Sequence, residues 1–277
     1  MTNPSPWAHH RSAGVADDID FEIKGQELQF LEIELDPGES AVAEAGALVW
    51  KDASVGMSTV FGDGSGGEGD GFMGKLLGAG KRLVTGESLF TTVFTHHGTG
   101  KARVAFASPT PGAILALRLA DYGGRLICQK DSFLAAAKGV SIGIQFQRRV
   151  MTGLFGGEGF IMQKLDGDGW VFVQMGGTIV ERKLAPGEEL HVDTGCVAAY
   201  TSDIDFDLIG AGGVRSALFG GEGLFFARLR GPGSVWIQSL PFARLAGRML
   251  AASGSRGGQN RGEGSMLGGL GNLLDGD

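Results

Sequence analysis

Leu154-Phe155-Gly156-Gly157-Glu158-Gly159 opens a 21-residue stretch that ends at Gln174, and Leu218-Phe219-Gly220-Gly221-Glu222-Gly223 opens a second that ends at Gln238. At a constant offset of 64 residues the two agree at 11 of 21 positions, more than shared glycine content explains. The chain is internally duplicated. In the first copy the apolar runs Phe160 to Leu165 and Trp170 to Gln174 flank Asp166-Gly167-Asp168-Gly169. In the second, Leu224 to Leu229 and Ser234 to Gln238 flank Gly231-Pro232-Gly233. Glycine at such a reversal supplies the positive φ that a tight turn demands, so each copy reads as a hairpin. Both faces of the arms are apolar, which places them between two layers.

Working outward, a degraded third copy starts at Gly86-Glu87-Ser88-Leu89-Phe90 and turns at Gly98-Thr99-Gly100. Nearer the start, Phe21 to Lys24 and Leu28 to Leu35 flank Gly25, and the second arm alternates apolar with charged, the pattern of a half-buried hairpin. A second element recurs as Leu35-Asp36-Pro37-Gly38-Glu39 and Leu184-Ala185-Pro186-Gly187-Glu188, with Pro111-Gly112 between them. Pro followed by Gly suits the centre of a type II turn. The expected organisation is therefore a leader over 1–17, one triplicated β domain over 18–252 and a glycine-rich tail over 253–277. Within the domain the units fall near 18–85, 86–155 and 156–240, and a closing helix spans 241–252. The fold class is mainly β: three pseudo-repeated units of sandwich or double-stranded β-helix type with one or two short helices. Units that cannot bury their own faces stack on one another.

Helical spacing appears twice. Phe72, Leu76, Leu77, Leu83 and Val84 form one apolar stripe, flanked by Lys75, Lys81 and Arg82. Pro241 starts the other, in which Phe242, Leu245 and Met249 share a face.

Composition narrows the function classes. The chain has 277 residues, of which 43% are hydrophobic and 50 are glycine, and its formal charge is −7. So much glycine beside so much apolar content means many turns between short strands. No basic run offers the clustered Lys and Arg that phosphate contacts need, so a nucleic-acid partner is excluded. Cys128 and Cys196 lie in strand-like apolar surroundings and form no CxxC pair, which reads as free thiols in a reducing compartment. No secretory signal and no membrane-length apolar run is seen, so a cytoplasmic protein is expected.

Gly86-Glu87-Ser88-Leu89-Phe90, the two Gly-Gly-Glu-Gly cassettes, Val192-Asp193-Thr194-Gly195 and the run Gly231 to Pro241 together resemble the family of the altered-inheritance-of-mitochondria protein 24. The ordered combination covers about Asp18 to Leu250. The resemblance implies a fold like that of the tryptophan RNA-binding attenuation protein, with three pseudo-repeats about a pseudo-threefold axis. It implies no established enzyme activity, and it links mitochondrial members to inner-membrane organisation.

Candidate sites are few. Gly69-Asp70-Gly71-Phe72-Met73-Gly74-Lys75 matches half of a phosphate loop, but Leu76 stands where Ser or Thr must hold Mg²⁺. His96 and His97 are adjacent on a strand and point to opposite faces, so they cannot chelate together. No metal and no cofactor is expected. Glu87, Glu158 and Glu222 occupy equivalent repeat positions. They are candidates for a converging carboxylate ring that binds a cation, against a structural role in which each carboxylate accepts turn N–H groups. The stripe with Phe72, Lys75, Leu76, Leu77, Lys81 and Arg82 is a candidate for docking a partner or an anionic membrane. Met266, Leu267, Leu270, Leu273 and Leu274 make a helical apolar face on the tail, a candidate partner motif. With no paired nucleophile and base, the leading expectation is a non-enzymatic scaffold or partner-binding protein, a homo-oligomer among its forms, whose partner the sequence does not name. An ion-binding or small-molecule-binding protein using the repeat glutamates and a peripheral membrane protein are the alternatives.

Overall fold

The structure, a computed structural model, describes residues 16–61, 90–148, 160–210 and 225–253. The chain divides into two compact units between Ala243 and Arg244, and every described strand lies in the first. Its opening strands are β1 (Asp20–Lys24), β2 (Phe30–Leu35), β3 (Ser40–Glu44), β4 (Leu48–Lys51) and β5 (Val55–Phe61). Next come β6 (Phe90–His96), β7 (Ala102–Phe106), β8 (Gly112–Arg118), β9 (Arg125–Gln129), β10 (Phe133–Ala137) and β11 (Ser141–Arg148). They are followed by β12 (Phe160–Asp166), β13 (Trp170–Gly176), β14 (Ile179–Leu184), β15 (Glu189–Asp193), β16 (Val197–Thr201) and β17 (Asp205–Gly210). Two more, β18 (Phe225–Arg230) and β19 (Gly233–Gln238), complete the strands, and helix α1 (Phe242–Ser253) comes after Pro241.

The described strands form antiparallel sheets. The first has the order β1-β2-β7-β4, the second β5-β6-β3-β10-β13-β8, the third β11-β12-β9-β16-β19-β14 and the fourth β15-β18-β17. Three apolar cores separate them. Leu31, Ile33, Val104 and Phe106 of the first sheet meet Phe94, Ala135 and Phe172 of the second. Val171, Val173 and Met175 of the second meet Leu126, Cys128 and Trp236 of the third. Met162, Tyr200 and Val235 of the third meet Val192, Leu208 and Leu229 of the fourth. Period-two alternation explains the sharing: in β13, Phe172 points into one core while Val171 and Val173 point into the next. Arms that are apolar on both faces lie between layers, as their sequence requires.

The same double-sided apolarity conceals which neighbour a strand takes. The doubled passage reads as two hairpins, and it is not so built. β12 belongs to the third sheet and β13 to the second, while β18 belongs to the fourth and β19 to the third. The reversals are arches that cross a core from sheet to sheet. Positive φ at Gly100, Gly167 and Gly233 still serves those crossings. By contrast the first hairpin is a true one: β1 and β2 pair with Glu22 opposite Glu32.

The Pro-Gly period is also corrected. At Pro37-Gly38 and Pro186-Gly187 the turns are alike: Glu39 and Glu188 accept the N–H of Asp36 and Ala185, both at 2.9 Å, and each turn leads into a matching strand, β3 or β15. Pro111-Gly112 instead opens β8. The turn that leads into β9 is Gly123-Gly124, where Gly167 N–H donates to Gly124 C=O as His96 N–H does to Glu39 and Gly231 N–H to Glu188. Gly123-Gly124 stands in the middle unit where the other two carry Pro-Gly, so spacing alone aligned the wrong turn. At the expected leader's end, Ala16 and Asp17 already hydrogen-bond to Asp168 and Lys138 of the body.

Strand order recurs along the chain. Raising every number in the second sheet by six yields the third, strand for strand. The strands β2, β7 and β4 of the first sheet correspond in this way to β8, β13 and β10, and the fourth sheet corresponds to β3, β6 and β5. Even a local irregularity recurs, between Leu48 and Trp50, Phe133 and Ala135, and Val197 and Ala199.

Candidate interaction site

All of the residues proposed for sites from sequence lie outside the described residues. This holds for Glu87, Glu158 and Glu222, for Phe72, Lys75, Leu76, Leu77, Lys81 and Arg82, and for Met266, Leu267, Leu270, Leu273 and Leu274. The partial phosphate loop and the helix expected over 72–84 lie outside them too. The histidines are described. Gly98 N–H donates to His96 Nδ1 at 3.3 Å, so Nε2 carries the proton and donates to Gly100 C=O at 3.0 Å. His96 is a buried turn fastener. His191, exposed on β15, pairs with Glu189 at 2.7 Å. Cys128 and Cys196 form no disulfide, and burial, followed by the charge of Glu44, pushes the Cys128 thiol up to about 12. A thiol so placed is no nucleophile. Among the described residues no cluster of His, Cys, Asp and Glu could hold a metal ion, and no helix is long and apolar enough to cross a membrane.

Two features stand out. The first is a small polar hollow with room for about one water-sized group, lined by Thr110, Gln129, Asp131, Ser132, Gln174 and Gln238. Gln174 and Gln238 are the matched last residues of the doubled passage, and the fold brings both to one place. The Gln238 amide donates to Gln129 Oε1 at 3.2 Å and to Gly195 C=O at 3.0 Å, and it accepts the Gly176 N–H at 2.9 Å. Gln174 donates to Thr110 C=O, yet its own Oε1 is buried with no hydrogen-bond partner. Beside the hollow, burial and then the charge of Asp131 raise the Glu44 carboxyl to about 7, with Lys130 opposing. The hollow can hydrogen-bond a small polar group. The sequence signal for it was present, since both copies of the repeat end on Gln.

The second feature is a pair of incomplete sheet edges. β10 and β16, the counterparts of β4, are buried throughout because β3 and β9 flank them. Among the described residues β4 pairs with β7 alone, and Leu48, Val49 and Trp50 are 37, 55 and 38% exposed. β15, the counterpart of β3 and β9, pairs with β18 alone and exposes Glu189 and His191. Natural edges are usually blunted by charge. The edge strand β14 follows that rule with exposed Glu181, Arg182 and Lys183, and β4 does not. Elsewhere the outer face of the first sheet is an ion-pair field, in which Glu34 accepts from Lys101 and Arg103 and is held below its ordinary pKa by them.

Layered antiparallel sheets with shared cores make this a mainly β protein. The chain belongs to the family described as mitochondrial biogenesis AIM24, whose model matches residues 21–240. It is 32% identical over 230 residues to an uncharacterised protein, M6_Spy0233, of Streptococcus pyogenes serotype M6, covering 82% of this chain and 87% of that one. It also resembles the crystal structure of protein SPYM3_0169 from Streptococcus pyogenes, with a TM-score of 0.66 and 27% identity over 84% of this chain and 99% of that one.

Proposed function

We propose that this protein is a non-enzymatic scaffold that binds a protein partner, in the cytoplasm, through the edge of its first sheet. The observation that carries the reading is the run Leu48, Val49 and Trp50, exposed on a strand that among the described residues pairs on one side only and whose counterparts are wholly buried. Main-chain groups on an open edge supply affinity to an incoming strand, and side chains that alternate along it supply selectivity. The pseudo-threefold arrangement belongs to this proposal, supported by the strand order that recurs every six strands. A link to membrane organisation rests on family membership alone. The ion-binding and membrane-surface alternatives attach to residues outside the described ones.

The test is affinity capture from cell extract with the full chain, with Val49→Lys, and with a deletion of residues 254–277. Loss of a reproducible partner in Val49→Lys, with the thermal melt unchanged, is the expected result. Identical capture by all three would remove both the edge and the tail as docking elements.

A further inference from the structure

We propose that the hollow beside Gln174 is a site for one monovalent cation of about water's size, held by the Gln174 amide oxygen and by Asp131. The proposal does not depend on the edge of the first sheet.

The strand registers show why Gln174 has an oxygen to spare. Leu48, Phe133 and Val197 stand opposite Phe106, Val173 and Ile237, so Gln174 and Gln238 are counterparts, and three residues beyond Phe106 and Val173 so are Pro109 and Gly176. The Gln238 oxygen accepts the Gly176 N–H, and its nitrogen donates on the other side to Gln129 Oε1 and Gly195 C=O. One unit earlier Pro109 holds the place of Gly176, and proline has no N–H to give. The Gln174 amide is accordingly turned over: its nitrogen donates to the C=O of Thr110, next to Pro109, at 3.2 Å. Its oxygen then lies on the side where Gln238 meets Gln129 and Gly195. By the same registers Glu44 stands in for Gln129, and Asp131 for Gly195.

That side is rich in acceptors. Gln174 is only 4% exposed, and its Oε1 is buried with no hydrogen-bond partner. Turning the amide back would set its oxygen against the Thr110 carbonyl, so rotation brings no relief. Asp131 lines the same hollow, and its charge acts on the Glu44 carboxyl. A cation there gives the amide oxygen a partner and offsets the repulsion between the two carboxyl groups. Oxygen ligands suit a hard cation, and Ser132 adds another oxygen to the lining. The hollow has room for about one water-sized group, which matches potassium or ammonium. Among the described residues no three His, Cys, Asp or Glu side chains gather to hold a metal, and Lys130 opposes part of the negative charge. A single positive charge is therefore the match.

The test is a set of thermal melts of the full chain at about pH 8 and constant ionic strength, with potassium chloride replacing choline chloride. The melt should rise and saturate, by about 3–6 °C at roughly tenfold excess over half-saturation. A parallel series in ammonium chloride separates the two sources: the ion that saturates at the lower concentration is the occupant. Gln174→Met and Asp131→Asn should each lose the potassium-dependent rise, whatever they do to the melt in choline chloride. Pro109→Ala restores an N–H in the place of Gly176 and lets the amide turn back, so it should also lose the rise. Crystals grown in rubidium chloride should show an anomalous peak beside Gln174. Equal wild-type melts in all three salts would mean an ordered water only and overturn the proposal. So would a rise that survives both Gln174→Met and Pro109→Ala, or rubidium bound only elsewhere.

Discussion

Glu44 offers a quantitative check on the packing around β3. It closes that strand opposite Thr91 of β6, and its carboxyl is raised from 4.5 to about 7, chiefly by burial and next by the charge of Asp131. The folded protein thus holds this proton more tightly than the unfolded chain. Stability from Glu44 is fully present below about pH 4.5 and is lost as pH rises through about 7. At ~1.4 kcal/mol per pH unit the interval amounts to about 3 kcal/mol, and solvent access to a partly buried group lowers the expected loss to about 1–3 kcal/mol. Glu44→Gln preserves the shape and cannot ionise. Urea unfolding of both proteins at about pH 5 and about pH 8 measures the difference, and the variant should gain about 1–3 kcal/mol over wild type between the two. Asp131→Asn should move the wild-type loss to lower pH, because the second cause of the shift is gone. Parallel pH profiles for wild type and Glu44→Gln, with equal denaturant slopes, would refute the assignment of a buried carboxyl here.

Two further expectations concern the hollow and two strand glycines. Gln238→Leu leaves the Gly176 N–H, the Gly195 C=O and Gln129 Oε1 without their partner, and should cost about 3 kcal/mol in urea unfolding, with faster hydrogen exchange at the Gly176 amide. Gly112→Ala would place a methyl group against the Met175 carbonyl across the β8–β13 pair, whereas Gly210→Ala meets nothing within 4 Å. The first should lose about 3 kcal/mol or more and the second stay within about 0.5 kcal/mol, read from melts of the two variants.

Much of the local structure was legible because it is periodic. The Phe21 to Lys24 and Phe30 to Leu35 arms pair as their alternation requires, and Pro241 precedes a helix over Phe242–Ser253. Pro37-Gly38 and Pro186-Gly187 make the same turn because Gly tolerates the positive φ there and the following Glu closes it. The candidate site was less legible. The matched terminal Gln of the two repeat copies was the one signal available, and only convergence in space makes Gln129, Gln174 and Gln238 a group.

What the sequence by itself determined is repetition, β character and burial on both faces, since residue spacing and side-chain polarity are local properties. Strand partnership is a different kind of fact. An arm that is apolar on both sides satisfies a hairpin and an arch equally well, and backbone hydrogen bonds carry no side-chain label. Only the tertiary structure assigned β12 and β13 to different sheets. It likewise decided that, among the described residues, β4 and β15 pair on one side only while their counterparts β10, β16, β3 and β9 pair on both.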